Sequence, residues 1–243
     1  MSTTSLNLLA IVIFSITVLS LCGPLLHLSP TIPALTTAGL LGMVTIDTLA
    51  WSGQGTTLVV DWFAQRSPSY RDRILHHEAG HFLLAALLGI PVAGYALSAW
   101  EAFQQGQQGR GGLRFEDETL QAELAMGQLS ESTIDRYCQV WLGGAAAEQI
   151  VFGSVEGAGD DRQKVQWLLS QCRYTSQERK SKETWAALQA KGKIEQHRQV
   201  YDRLVERLRA KASIASCQQV LQEVLEGNDR GDNSTFGRTP LKS

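Results

Sequence analysis

Residues 73–89 read RILHHEAGHFLLAALLG. Three histidines and a glutamate fall within six positions, His76 to His81, at the head of an apolar run. Ser67 and Pro68 precede the stretch, and Gly89 and Pro91 follow it. This predicts one α-helix, with Ser67 as N-cap, Pro68 at the first helical position and Gly89 at the close. A helix turns by about 100° per residue, so positions four apart share a face. Only His77 and His81 have that spacing, and the direction of His76 diverges. HEAGH, residues 77–81, is therefore an HExxH pattern: two imidazoles able to reach one cation, with Glu78 beside it. At a zinc site of this kind the glutamate takes a proton from the attacking water and later protonates the leaving amine. Gly80 is a poor residue for a helix interior. A neighbour packed closely against that turn would account for it.

A catalytic zinc needs a third protein ligand and one open position. Spacing alone leaves the acids from Glu101 to Asp161 open as candidates. The small residues of the loop GSVEGAGDD favour Glu156 to Asp161, because such a loop can approach a metal closely. Glu148 sits in the apolar helix GGAAAEQIVFG. A carboxylate there wants a partner, and the second ring nitrogen of a histidine ligand would serve.

HEAGH, then LGGAAAEQIVFG, then GAGDDRQKV occur in order within about Arg71 to Leu169. This run resembles the peptidase domain of the FtsH family, the membrane-anchored AAA zinc proteases. That family reads HEAGH, then GGRxAEExxFG, then TGAxxD leading into a helix. The resemblance implies His77, His81 and Asp161 as zinc ligands and Glu78 as the catalytic glutamate, with Glu148 supporting the site. It also implies a strand near the active site at GGLRFED. An extended substrate is expected to pair with that edge, at Gly112, Leu113, Arg114 and Phe115.

The departures are as specific. No GxxxxGK(S/T) is present, and only Ser52 to Arg66 lies where the family carries its ATPase. Ala145 stands where the family has Arg, Gln149 where it has a second acid, Glu156 where it has Thr, and Asp160 where it often has Asn.

Residues 1–60 contain no Lys or Arg and one acid, Asp47. Leu6 to Leu28 is apolar enough to span a bilayer, and Ile32 to Trp51 is a second, weaker candidate. Between them GPLLHLSPTIP reads as a turn. The first basic residues are Arg66, Arg71 and Arg73. By the positive-inside tendency the rest of the chain lies on the cytoplasmic, or stromal, side. The net charge of −2 gives no electrostatic case for nucleic acid. The four cysteines form no CxxC pair, which fits reduced thiols.

The expected fold is mainly α: a helical zinc-peptidase domain with a small β element near the active site, after one or two N-terminal transmembrane helices. The organisation expected is an anchor at 1–60, a peptidase domain at 61–226 and a disordered tail at 227–243. Val92 to Phe115 reads as irregular apart from a short strand at GLRFED. Helices are expected at about Ser132–Phe152, from near Asp161, and across Glu178–Glu226.

The expected function is a zinc metalloendopeptidase acting on protein or peptide substrates. ATP-dependent activity would require a partner that supplies the ATPase. The expected protein partners are FtsH-type AAA protease subunits or further copies of this chain in a homo-oligomer. Two alternatives are a catalytically silent assembly subunit and a site-2-type intramembrane protease. The last is opposed by RSPSYRDR before the helix and by the polar setting of Asp161, whereas intramembrane acids sit in apolar spans.

Overall fold

The computed structural model describes residues 3–222 except 24, 26, 28, 52 and 108–110. The expected tail, 227–243, lies outside the described residues. The described chain is mainly helical with a single two-stranded sheet. It divides into two compact units: Met1–Arg71 with Ala96–Gly112, and Asp72–Tyr95 with Leu113–Ser243.

The first unit holds α1 (Thr3–Cys22), α2 (Thr31–Ala50), α3 (Gln54–Ala64) and, from the later segment, α5 (Ala99–Gln104). α1 ends at Cys22, short of the expected Leu28, where the Gly23 N–H closes on Leu19 O. α2 is the described helix long and apolar enough to cross a membrane, although its sequence looked the weaker of the two. Its one charge, Asp47, is buried at the last turn and accepts from Gly55 N (2.7 Å), Thr56 N (2.8 Å) and the Thr56 hydroxyl (2.6 Å). Those are the first free N–H groups of α3, which Asp47 satisfies from the preceding helix. Asp61 repeats the device, accepting from Ala99 N at the start of α5 (2.8 Å).

The second unit is built around α7 (Glu131–Phe152). Ser130 caps it by accepting from Thr133 N, and Gly153 ends it in the left-handed conformation. The buried face of α4 (Pro68–Leu87), including Phe82, Leu83 and Leu84, joins one core with Val140 and Leu142 of α7. Val165, Leu168 and Leu169 of α8 (Gly159–Ser170) extend it. Ala186, Ala190 and Ile194 of α9 (Ser176–Gln196) and Tyr201, Leu204 and Leu208 of α10 (Arg198–Arg209) complete it. A further helical stretch covers 214–222.

α4 begins at Pro68 and ends before Gly89, at φ +65°, as the sequence predicts. Arg136 then donates to the carbonyls of Leu88 and Gly89, satisfying two groups the turn leaves open. The segment read as irregular is more ordered than expected. Val92–Ala96 forms β1, which pairs with β2 (Gly112–Phe115), and α5 lies between them. VAGYA has no alternation of polar and apolar residues, so only its pairing with β2 makes it a strand. α6 (Glu118–Ala125) follows β2. All four cysteines are free thiols.

Candidate metal centre

The close approach implied by Gly80 is made by α7. A Cβ on Gly80 would lie 2.4 Å from Gly143 O and 2.8 Å from Ala147 Cβ. Reciprocally, a Cβ on Gly143 would lie 2.9 Å from Gly80 O. The two backbones therefore meet with no room for side chains. One residue on, Gly144 faces the His77 ring, and a Cβ there would stand 2.4 Å from Nε2. The GG pair of the helix motif thus has two tasks: Gly143 admits α4, and Gly144 admits the imidazole.

That imidazole and its partner converge on one point. His77 Nε2 lies 3.0 Å from His81 Nε2 and 3.1 Å from Asp161 Oδ2. His81 Nε2 lies 3.2 Å from the same oxygen. All three residues are buried. The far ring nitrogens are engaged elsewhere. His77 Nδ1 donates to Glu148 Oε1 at 2.7 Å, and His81 Nδ1 donates to Val140 O at 2.7 Å. Both Nε2 atoms are thereby oriented toward Asp161. Tetrahedral bonds of about 2.0–2.1 Å would put ligand atoms about 3.3 Å apart, close to the spacing here. Two imidazoles and a carboxylate could hold a metal ion.

The electrostatics fit a site that needs positive charge. Burial alone would lower the His77 pKa, but hydrogen bonds to Asp161 and Glu148 prevail and raise it to about 10. Burial would raise the Asp161 carboxyl, yet His81, His77 and Lys164 hold it far below the usual carboxylate range. Lys164 Nζ donates to Asp161 Oδ1 at 2.9 Å, leaving Oδ2 for the centre.

Glu148 is completely buried, and its carboxylate is fully used. Besides His77 it accepts from Arg73 (2.8 Å), Glu156 N (2.8 Å) and Gly157 N (3.1 Å). Burial would raise its pKa, but the hydrogen bonds from His77, Glu156 N and Arg73 bring it down to about 2. Arg73 also donates to Ser154 O and pairs with Glu156. The departure from Thr at position 156 thus supplies an acid that meets Arg73. Gln149, the other departure nearby, donates to Gly153 O at the end of α7.

Glu78 is buried next to the centre, and its Oε2 accepts from Leu113 N at 2.9 Å. The β2 stretch is therefore beside the motif glutamate. Its Leu113 N–H is committed to that carboxylate instead of lying open to a substrate. Gly112 precedes it at φ +115°, and Arg114 packs over Gly94 of β1. Phe115 is packed against the core.

His76 faces away and bonds Tyr201 through Nδ1 at 2.7 Å. Asp160 is exposed, so Asp161 is the acid brought into the cluster. Sequence reading missed Arg73, Lys164 and the Val140 carbonyl. Arg73 did leave a signal: residues 73, 77 and 81 are spaced by four and lie along one helix face. No protein-family model matches the chain, and no curated protein matches it.

Proposed function

We propose that this chain is a membrane-tethered zinc endopeptidase similar to the FtsH peptidase domain. The observation that carries this reading is the convergence of His77 Nε2, His81 Nε2 and Asp161 Oδ2 with Glu78 beside them. The nitrogen and oxygen donors suit zinc. A zinc ion held there would acidify a water and polarise a scissile carbonyl. Glu78 is the proton carrier: it takes the proton of the attacking water and hands it to the leaving amine. The Leu113 N–H fixes one of its oxygens, which aims the other. Glu148 holds His77 in the tautomer that presents Nε2.

α2 anchors the chain, and the first cations, Arg66, Arg71 and Arg73, set the domain after it on the cytoplasmic or stromal side. None of the four site residues lies in α2, which gives the intramembrane-protease reading no support. In the absence of a P-loop, unfolding of folded substrates would fall to a partner ATPase such as an FtsH-type subunit.

The test is Glu78→Gln in the full chain. It should retain one zinc per chain and lose casein cleavage by about 100-fold or more, the scale of general acid–base catalysis. If wild type binds one zinc yet cleaves nothing, even beside FtsH-type ATPase subunits, the chain is an assembly subunit and the peptidase reading is wrong.

A further inference from the structure

The first unit carries acids inside and aromatic rings outside. On α3, Asp61 is 4% exposed, while Val59, Trp62 and Phe63 are 56%, 56% and 42% exposed. On α5, Ala99 and Ala102 are buried, while Trp100 and Phe103 are 57% and 50% exposed. Spacings of three and four residues make each set one helical stripe. A helix in water normally turns such a stripe to the core. The rings also gather among themselves. Trp62 meets Phe63 edge-on at 4.8 Å, and Trp100 stacks with Phe103 at 5.8 Å. The Arg66 guanidinium lies 3.7 Å from the centre of the Trp62 ring.

Hydrogen bonds from α2 onward tie the stripe to the candidate span. Asp47 of α2 holds Gly55 and Thr56 of α3, and Asp61 of α3 holds Ala99 of α5. Gln65 Nε2 also donates to Leu97 O. α2 itself exposes Met43, Val44, Ile46 and Leu49, with Trp51 just after it. The span, α3 and α5 of this unit thus each expose apolar side chains.

We propose that α3 and α5 lie in the interface of the bilayer that α2 enters, with Trp51, Trp62, Phe63, Trp100 and Phe103 at headgroup depth. Tryptophan favours that depth because one end of its ring is apolar and the other donates a hydrogen bond. Arg66 fits the same place: its guanidinium lies against the face of the Trp62 ring, a cation–π pair suited to the depth of the phosphate headgroups. The inference rests on α2 being an anchor, and the experiment tests the two separately.

The full chain is reconstituted into phosphatidylcholine vesicles whose acyl chains carry bromine close to the headgroup, and the quenched tryptophan emission is read. Trp51→Phe, Trp62→Phe and Trp100→Phe should each reduce the quenched emission by about a third if the three rings share one depth. Trp185→Phe should leave it unchanged. If Trp51→Phe reduces quenching and the Trp62 and Trp100 variants do not, the anchor stands and the interfacial placement is refuted. The stripe then serves a protein partner or a second copy. If bromine quenches none of the emission, the anchor fails and this inference with it.

Discussion

Gly144→Ala tests the centre at its tightest point. The added Cβ would lie 2.4 Å from His77 Nε2 and 2.5 Å from both Cδ2 and Cε1. Contact without overlap needs about 3.5 Å, so the ring must retreat by about 1 Å. Metal coordination tolerates about 0.2 Å. The ring has little freedom to comply, because Glu148 holds its Nδ1 at 2.7 Å. Zinc affinity should therefore fall at least about 100-fold, the upper end of what losing an outer partner costs. The fold should survive. Alanine gains about 1 kcal/mol over glycine in a helix interior, against about 1–3 kcal/mol for overpacking.

Thermal unfolding with and without zinc separates the two effects. At a zinc concentration about 1,000 times the wild-type Kd, wild type gains about 4 kcal/mol and the variant only about 1.4 kcal/mol. Chelator competition gives the affinities directly. An equal zinc-induced stabilisation in both proteins would refute the placement of His77 against α7. Gly143→Ala is the control: its Cβ meets Leu84 Cδ1 at 2.8 Å and Gly80 O at 2.9 Å, so it strains the helix contact without striking the ring.

Glu148→Gln should weaken zinc binding by about 10–100-fold, measured by chelator competition. It should also change acid unfolding. The native Glu148 pKa, about 2, lies below its ordinary value, so its charge stabilises the metal-free fold above the unfolded-state pKa. That stability is lost as pH falls through about 2. An acid titration of stability should thus be steeper for wild type than for Glu148→Gln, and parallel curves would contradict the assignment. Leu113→Pro removes the N–H that holds Glu78 but touches none of the three metal-facing atoms. It should cripple peptide cleavage at normal zinc content, and unchanged cleavage would exclude a role for this strand.

The two metal-facing histidines were legible in the sequence because they depend on local spacing, whereas spacing left the acids from Glu101 to Asp161 open and only the resemblance singled out Asp161. His77 and His81 needed only helical periodicity, and Gly80 announced a close neighbour without saying which. Glu148 was legible as a buried acid wanting a histidine. Arg73 and Lys164 were not, because a cation on a helix reads as a solvated side chain until the fold supplies its acid. β1 was hidden for a related reason, since VAGYA has no pattern of its own. Asp47 looked like a flaw in an apolar segment. Its purpose, starting α3, is visible only once the two helices are side by side.

Glu148 finally sets how fragile the centre is. One carboxylate pins the ring of His77 and, through the amides of Glu156 and Gly157, the loop that delivers Asp161. Two of three metal-facing residues thus take their register from a single side chain. Tolerance to sequence drift must be uneven as a result: many surface changes are harmless, but one change at position 148 loosens both arms of the clasp together. A change at that position alone could weaken metal binding while HEAGH still stood intact.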